Sequence, residues 1–291
     1  MLSYRHQFHA GNFADVLKHA LLARALVAMT RKDRPLLYLD THAGIGDYDL
    51  EHPWARKNAE HAAGVWRVLG RDDAPEALAP WLDAVRAVNP DGGRRHYPGS
   101  ARLAAHLLRP MDRLVLNDLG ADDRATLTAQ LGRDRRVEIR GEDWQQVLRA
   151  ILPPRERRGL VLIDPPYDRG GDFARMVDGL HAAWRRFATG VLVVWYPQMD
   201  AGTVREMEQA VIERAIPRVL QVTLTVREPA TARGMPGCGM LVVNPPYGLA
   251  DEAPSWVEWL WRALAEPGEG GWQVRWLVPE RPADSQAALP S

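Results

Sequence analysis

The residues with the clearest chemical use are Asp164, Pro165, Pro166 and Tyr167, which close the run "GLVLIDPPY". An exocyclic amine on adenine or cytosine is a poor nucleophile, because its lone pair is delocalised into the ring. Two acceptors aimed at its hydrogens, a carboxylate and a backbone carbonyl, pull that nitrogen toward a tetrahedral shape. The lone pair is then free to meet an electrophilic methyl carbon. Proline lacks an N–H and fixes φ, so the carbonyl is held rigidly. Tyr167 offers a face for a stacked base, worth about 1–3 kcal/mol, and Asp164 is placed to accept the released proton. The plainer reading is a rigid loop with an Asp cap. Asp164, Pro165 and Tyr167 are thus the candidate catalytic residues. The chain repeats the pattern in "LVVNPPYGLA", with Asn244 in place of the acid. Pyrimidine C5 methylation, which needs a cysteine nucleophile, is disfavoured. The one cysteine, Cys238 in "PGCGML", reads as a small buried thiol and rules out an internal disulfide.

A second constellation follows an earlier apolar run. "YLDTHAGIGDY" places Gly44 and Gly46 in the turn leaving a strand, where glycine lets a ligand approach the backbone. The third glycine of a dinucleotide fingerprint would fall at position 49, which is Asp49, so a pyrophosphate site is weakened. An acid, a short spacer and Gly-x-Gly is instead the pattern of S-adenosylmethionine enzymes. Asp118 ends the next strand, where a carboxylate can accept both ribose hydroxyls. Asp143 ends the one after, within reach of an adenine amino group, with Trp144 beside the ring. Each acid could also simply cap the following helix. Three in order favour a nucleoside cofactor with no phosphate.

These residues need a sheet to hold them on one edge. Seven runs read as strands, ending at Asp40, Asp118, Asp143, Asp164, Trp195, Val226 and Asn244, and amphipathic stretches separate most of them. Alternating signals imply an α/β sheet, largely parallel, with helices on both faces and ligands at the carboxyl ends of the strands. Only Arg227 to Gly239 separates the last two runs, so the final strand is expected to run antiparallel. Asn244 would then leave at the opposite edge and serve only as a rigid exit. Asp40 and Asp118 lie far enough apart to hold an insertion, since a plain βαβ unit needs about 30 residues. Residues 50–96 are expected to be a small helical subdomain anchored by Trp54, Trp66 and Trp81. The main domain comprises 1–49 and 97–280, with a helix over about 12–29, and 281–291 reads as a disordered tail.

The chain has 291 residues, is 46% hydrophobic, and carries 37 basic against 37 acidic residues. A neutral balance argues against coating long duplexes by bulk charge. The first 35 residues do carry six Lys/Arg (Arg5, Lys18, Arg24, Arg31, Lys32, Arg34) against Asp15 and Asp33. This basic face is the expected RNA entrance. Arg94, Arg95, Arg133, Arg135, Arg136, Arg155, Arg157 and Arg158 form three further clusters. His6 and His9 have no cysteine or carboxylate cluster to complete a metal site, so no metal is expected. No signal-peptide core or membrane span is read, which points to a cytoplasmic protein.

On "MLSYRHQFHAGNFADVLKH", "YLDTHAGIGDY", "YPGS", "RRGLVLIDPPY", "RFATG" and "WYP" the chain closely resembles the RlmJ family of bacterial 23S ribosomal RNA adenine-N6 methyltransferases. The resemblance runs to about Glu280. It implies a class I S-adenosylmethionine-dependent, Rossmann-like fold with a seven-stranded sheet, its last strand antiparallel, and a helical insertion after the first strand. It further implies S-adenosylmethionine as cofactor, with His19, His42 and Ser100 toward its methionine end, beside the Gly44 turn already read as a cofactor approach. Asp118 would hold the ribose, where a compared family member carries Glu, and Asp143 and Trp144 the adenine. Asp164 would act as the catalytic residue at the cofactor's methyl, and Tyr4 and Lys18 would meet the substrate. The partner implied is 23S rRNA, free or in early assembly, bound by a monomer. Other readings of the same residues are DNA adenine-N6 or cytosine-N4 methylation, protein glutamine methylation, and a non-catalytic RNA-binding module.

Overall fold

The structure is a computed structural model and describes residues 5–228 and 234–280. Tyr4 and the expected tail at 281–291 lie outside the described residues. The chain enters through α1 (Phe13–Thr30), where Asn12 caps the helix by accepting from Asp15 N–H at 2.9 Å. It continues into β1 (Leu37–Asp40) and β2 (Asp47–Asp49), then α2 (Pro53–Asn58), α3 (Glu60–Ala63), α4 (Val65–Leu69) and α5 (Ala79–Ala87). β3 (His96–Pro98) pairs antiparallel with β2 and closes the base of this insertion. Beyond it come α6 (Ser100–Leu107), β4 (Arg113–Asn117), α7 (Ala121–Leu131), β5 (Val137–Arg140) and α8 (Trp144–Ile151). The second half holds β6 (Gly159–Ile163), α9 (Asp172–Arg186), β7 (Val191–Gln198), α10 (Ala201–Glu213) and β8 (Val219–Thr225). It ends with β9 (Gly237–Val243), α11 (Leu249–Leu264) and β10 (Gly271–Val278).

The main sheet has the order β10-β8-β9-β7-β6-β1-β4-β5. β5, β4, β1, β6 and β7 are mutually parallel. β9 runs antiparallel to both β7 and β8, as the short connection demanded. Side chains alternate between two cores because a strand points successive residues to opposite faces. Tyr38, Leu114, Leu116, Leu160 and Leu162 pack toward α1, α6 and α11. Leu37, Leu39, Val115, Val161 and Ile163 pack toward α8, α9 and α10. No helix among the described residues is long and apolar enough to cross a membrane.

Three expectations need correction. The sheet has eight strands, not seven: β10 adds to β8 antiparallel, with an irregularity between Trp276 and Val278. As a half-exposed edge strand with Gln273 and Arg275 interleaved, it lacks the apolar run of a buried strand. The insertion's first helical pattern is broken into α2, α3 and α4. Ala59 adopts left-handed φ 49°, and Gly64 abuts the N-terminal loop, where a Cβ would stand 2.1 Å from Gly11 O. Finally, Trp81 is a buried anchor and Trp66 packs partly buried against the core, but Trp54 is 43% exposed.

Candidate active site

The carboxyl ends of β1, β4, β5 and β6 open into one cavity of about 1150 Å³, roofed by the N-terminal segment and the insertion. Asn117 ties the strand ends together. Its side-chain amide donates to the carbonyls of Thr41 and Glu142, both at 3.1 Å, and its Oδ1 accepts from Glu142 N–H.

At one end, Asp118 accepts from Gly44 N–H at 2.9 Å and Gly120 N–H at 2.8 Å. Burial raises its pKa in spite of those two donors. A side chain at Gly44 would be strained. Its φ is +59°, and a Cβ would lie 2.2 Å from Tyr48 Oη.

Deeper in, Asp40 is a buried hub that accepts from Tyr38 Oη at 2.8 Å, Ser100 Oγ at 2.6 Å and His42 N–H at 3.2 Å. Burial pushes it up to about 6, and the nearby Asp164 adds to the rise. His19 is buried beside Tyr97, with Nδ1 2.8 Å from Tyr97 Oη, and its Nε2 meets no partner among the described residues. Burial pushes His19 down to about 3, and His42 down to about 4. Both imidazoles are neutral at neutral pH.

At the other end, Asp164 follows β6 half-buried, and Lys18 Nζ donates to its Oδ2 at 2.7 Å. Lys18 also pairs with Asp15 at 3.0 Å, and Asp15 is held by His6 Nε2 and Gly11 N–H. Burial alone would raise Asp15, but His6, Lys18 and His19 hold its carboxyl well below the usual range. Lys18 is 7% exposed. It belongs to this charge cluster rather than to a solvent-facing basic surface. Arg5 is likewise paired, with Asp122 and Asp123 across the cavity. Arg31, Lys32 and Arg34 follow the far end of α1, roughly 20 Å from Lys18 at 1.5 Å per residue. The expected basic entrance is therefore not one face. Tyr167 has left-handed φ 51°, a strained state for an aromatic residue. Its hydroxyl donates to Trp195 O at 2.7 Å, and its ring packs on Phe173 and Trp195.

Asp143 lines the cavity but also does what the plainer reading allowed. It caps α8, accepting from Gln145 and Gln146 N–H, and pairs with Arg175. Trp144 reaches the cavity wall, but its benzo edge lies in the α8–α9 seam, where a Cβ on Gly179 would stand 2.2 Å away. No group of His, Cys, Asp and Glu among the described residues could hold a metal ion.

The family model described as "Ribosomal RNA large subunit methyltransferase D, RlmJ" matches residues 33–278. This chain belongs to the RlmJ family. It is 40% identical over 280 residues to ribosomal RNA large subunit methyltransferase J of Escherichia coli K12, covering 96% of this chain and all of that protein. The Haemophilus influenzae protein of the same name is 38% identical over 281 residues, again 96% of this chain and all of the relative. The crystal structure of protein LPL1258 from Legionella pneumophila matches with TM-score 0.86 at 33% identity, over 92% of this chain and 98% of that one.

Within this RlmJ-family site, sequence reasoning missed the depth of Lys18, the part played by Asp15, and the hub at Asp40. A signal for the first two was present. Asp15 and Lys18 stand i,i+3 in "FADVLKHALLARAL", otherwise almost wholly apolar, and a buried charge needs a partner.

Proposed function

We propose that this chain transfers a methyl group from S-adenosylmethionine to the exocyclic N6 of an adenine in 23S ribosomal RNA. The carrying observation is Asp164, set on a rigid Pro-Pro turn and held by buried Lys18, in the same cavity as the Gly44–Asp118 cradle. The two named relatives are large-subunit rRNA methyltransferases, which sets the substrate class.

The cradle fits the cofactor. Gly44 leaves no room for a side chain, and the anchored Asp118 carboxylate retains lone pairs for ribose hydroxyls. Neutral His19 and His42 put no positive charge beside a sulfonium. Ser100 lines the cavity while donating to Asp40, so its own oxygen faces the methionine end as an acceptor. Asp143 and Trp144 would border the adenine. When bound, the cofactor supplies an electrophilic methyl carbon.

The chain's residues prepare the amine. The target adenine must leave its stack to reach the cavity. Lys18 occupies Asp164 Oδ2, which turns the remaining carboxylate oxygen to one N6 hydrogen. The carbonyl of Pro165 takes the other, and the nitrogen lone pair is localised. Asp164 is then placed to accept the proton lost after transfer. Tyr167 is pinned by Trp195 O, which fixes its ring as a wall for the base. A base that must be extruded is easier to reach in free or early-assembly RNA than in a packed particle. We take the protein to act as a cytoplasmic monomer. The test is methyl transfer from labelled cofactor to protein-free 23S rRNA. Incorporation as N6-methyladenine is expected, slowed at least about a hundredfold by Asp164→Ala.

A further inference from the structure

Trp54 is the large aromatic that the insertion does not bury. On α2 it shares a face with Lys57 and Asn58, at i, i+3 and i+4, while Ala55 turns into the protein. Its ring lies nearly parallel to Phe8, with centroids 5.2 Å apart and planes 12° apart. His52 packs edge-on against it at 5.3 Å, and Lys57 Nζ sits 5.9 Å from the Phe8 ring centroid. The indole is therefore held in place yet 43% exposed. His52, Trp54 and Asn58 line the same cavity as Asp164 and Lys18.

We propose that Trp54 is a second nucleotide subsite, a stacking platform for the base next to the adenine that enters the cavity. This rests on the RNA reading above. Extruding one base strips its neighbour of a stacking partner. A fixed aromatic face on the cavity rim restores that partner, and it does so for any base because every base has a π-face. Lys57, one helical turn along, meets the phosphate between the two nucleotides. The platform adds affinity for the extruded state without choosing the neighbouring base. An exposed indole held by a neighbouring ring is already ordered, so little side-chain freedom is lost on binding.

The experiment compares wild type, Trp54→Ala and Trp54→Phe in steady-state methyl transfer to protein-free 23S rRNA, with calorimetry of S-adenosylhomocysteine binding alongside. Trp54→Ala is expected to raise KM for RNA roughly tenfold, the fold-change set by the loss of one stacked base. It should change kcat less than about twofold and leave S-adenosylhomocysteine affinity as in wild type. Trp54→Phe should recover most of the loss. The inference is overturned if Trp54→Ala has the wild-type KM, if Trp54→Phe is as poor as Trp54→Ala, or if cofactor affinity falls in step with KM. A wild-type enzyme inactive on 23S rRNA sinks the substrate reading and this subsite with it. An active wild type with an indistinguishable Trp54→Ala sinks the subsite alone.

Discussion

The two Pro-Pro-Tyr exits leave opposite edges of one sheet. Asp164 follows β6, which runs parallel to β1, and emerges beside Gly44 and Asp118 in the cavity. Asn244 follows β9, which runs antiparallel to β7, so its end pairs with the start of that strand. There Asn244 donates to the carbonyls of Ala188 and Gly190 at 2.8 and 2.9 Å, and Tyr247 is 97% exposed. The tetrapeptides share a sequence pattern but not a turn, since the left-handed residue is Tyr167 in one and Asn244 in the other, and strand polarity separates the exit at the cavity from the exit at the far edge. A motif that presents one acceptor to a small target carries meaning only with the direction of the strand that delivers it.

The largest effect expected is the split between these two positions. On the proposed mechanism, Asp164→Ala removes an acceptor for both the amine hydrogen and the released proton. A loss of about 10²–10⁴ in kcat is expected from the general-base contribution alone, read by single-turnover methyl transfer. Asn244→Ala should leave kcat as in wild type and lower stability by about 1–3 kcal/mol, since two carbonyls lose their donor. Equal loss of activity at both positions would erase the distinction drawn from strand direction.

Lys18 sharpens the same contrast, because Asn244 has no counterpart to it. Lys18→Met leaves Asp15 and Asp164 without their shared cation in a buried setting. A destabilisation of about 3–5 kcal/mol is expected, measured by urea unfolding. The activity lost by the folded fraction should also exceed that of any change near Asn244. Wild-type kcat in a folded Lys18→Met would show that Asp164 needs no positioning.

Much of this was legible in the sequence. The strand-end acids at Asp40, Asp118 and Asp164 do reach one edge, because parallel strands deliver their carboxyl ends together. The antiparallel β9 followed from a connection too short for a crossover. What was not legible had one cause, that periodicity reports the face of an element and not what covers it. α1 is buried on nearly every side, leaving only Arg24, Val27, Ala28 and Thr30 partly open, so Lys18 looked like surface charge. Trp54 looked like a core anchor for the converse reason. β10 did carry a signal, Trp272, Val274 and Trp276 alternating with Gln273 and Arg275, but it lacks the continuous apolar run by which the other strands were read.

The pH dependence of stability tests whether the strain is concentrated at the cavity edge. His19 falls to about 3 in the folded chain from about 6.5 when unfolded. A depressed base contributes stability above pH 6.5 and loses it as pH falls toward 3, because the unfolded state takes the proton first. Asp40 has the opposite sign. Its folded value of about 6 exceeds the unfolded value near 3.9, so its contribution is full below pH 4 and lost as pH rises through 6. Relative to His19→Gln, wild type should lose stability on acidification from pH 6.5. Relative to Asp40→Asn, it should gain stability from pH 6 to 4. Urea midpoints at pH 7, 6, 5 and 4 read both, and parallel curves for wild type and His19→Gln would contradict the buried, neutral imidazole.

The smallest effect lies in the two tyrosines. Tyr167→Phe removes the donor to Trp195 O, a partly buried bond, so about 1 kcal/mol of stability should go with it. The positive φ that the bond helps to hold would also relax, moving the ring proposed to wall the base. KM for RNA should therefore change more than affinity for S-adenosylhomocysteine. Tyr247→Phe touches a side chain left in solvent and should fall within about 0.5 kcal/mol of wild type with unchanged kinetics. If both substitutions were silent, the Asp164 turn would owe its shape to Pro165 and Pro166 alone, and Tyr167 would be no more a part of the site than Tyr247 is.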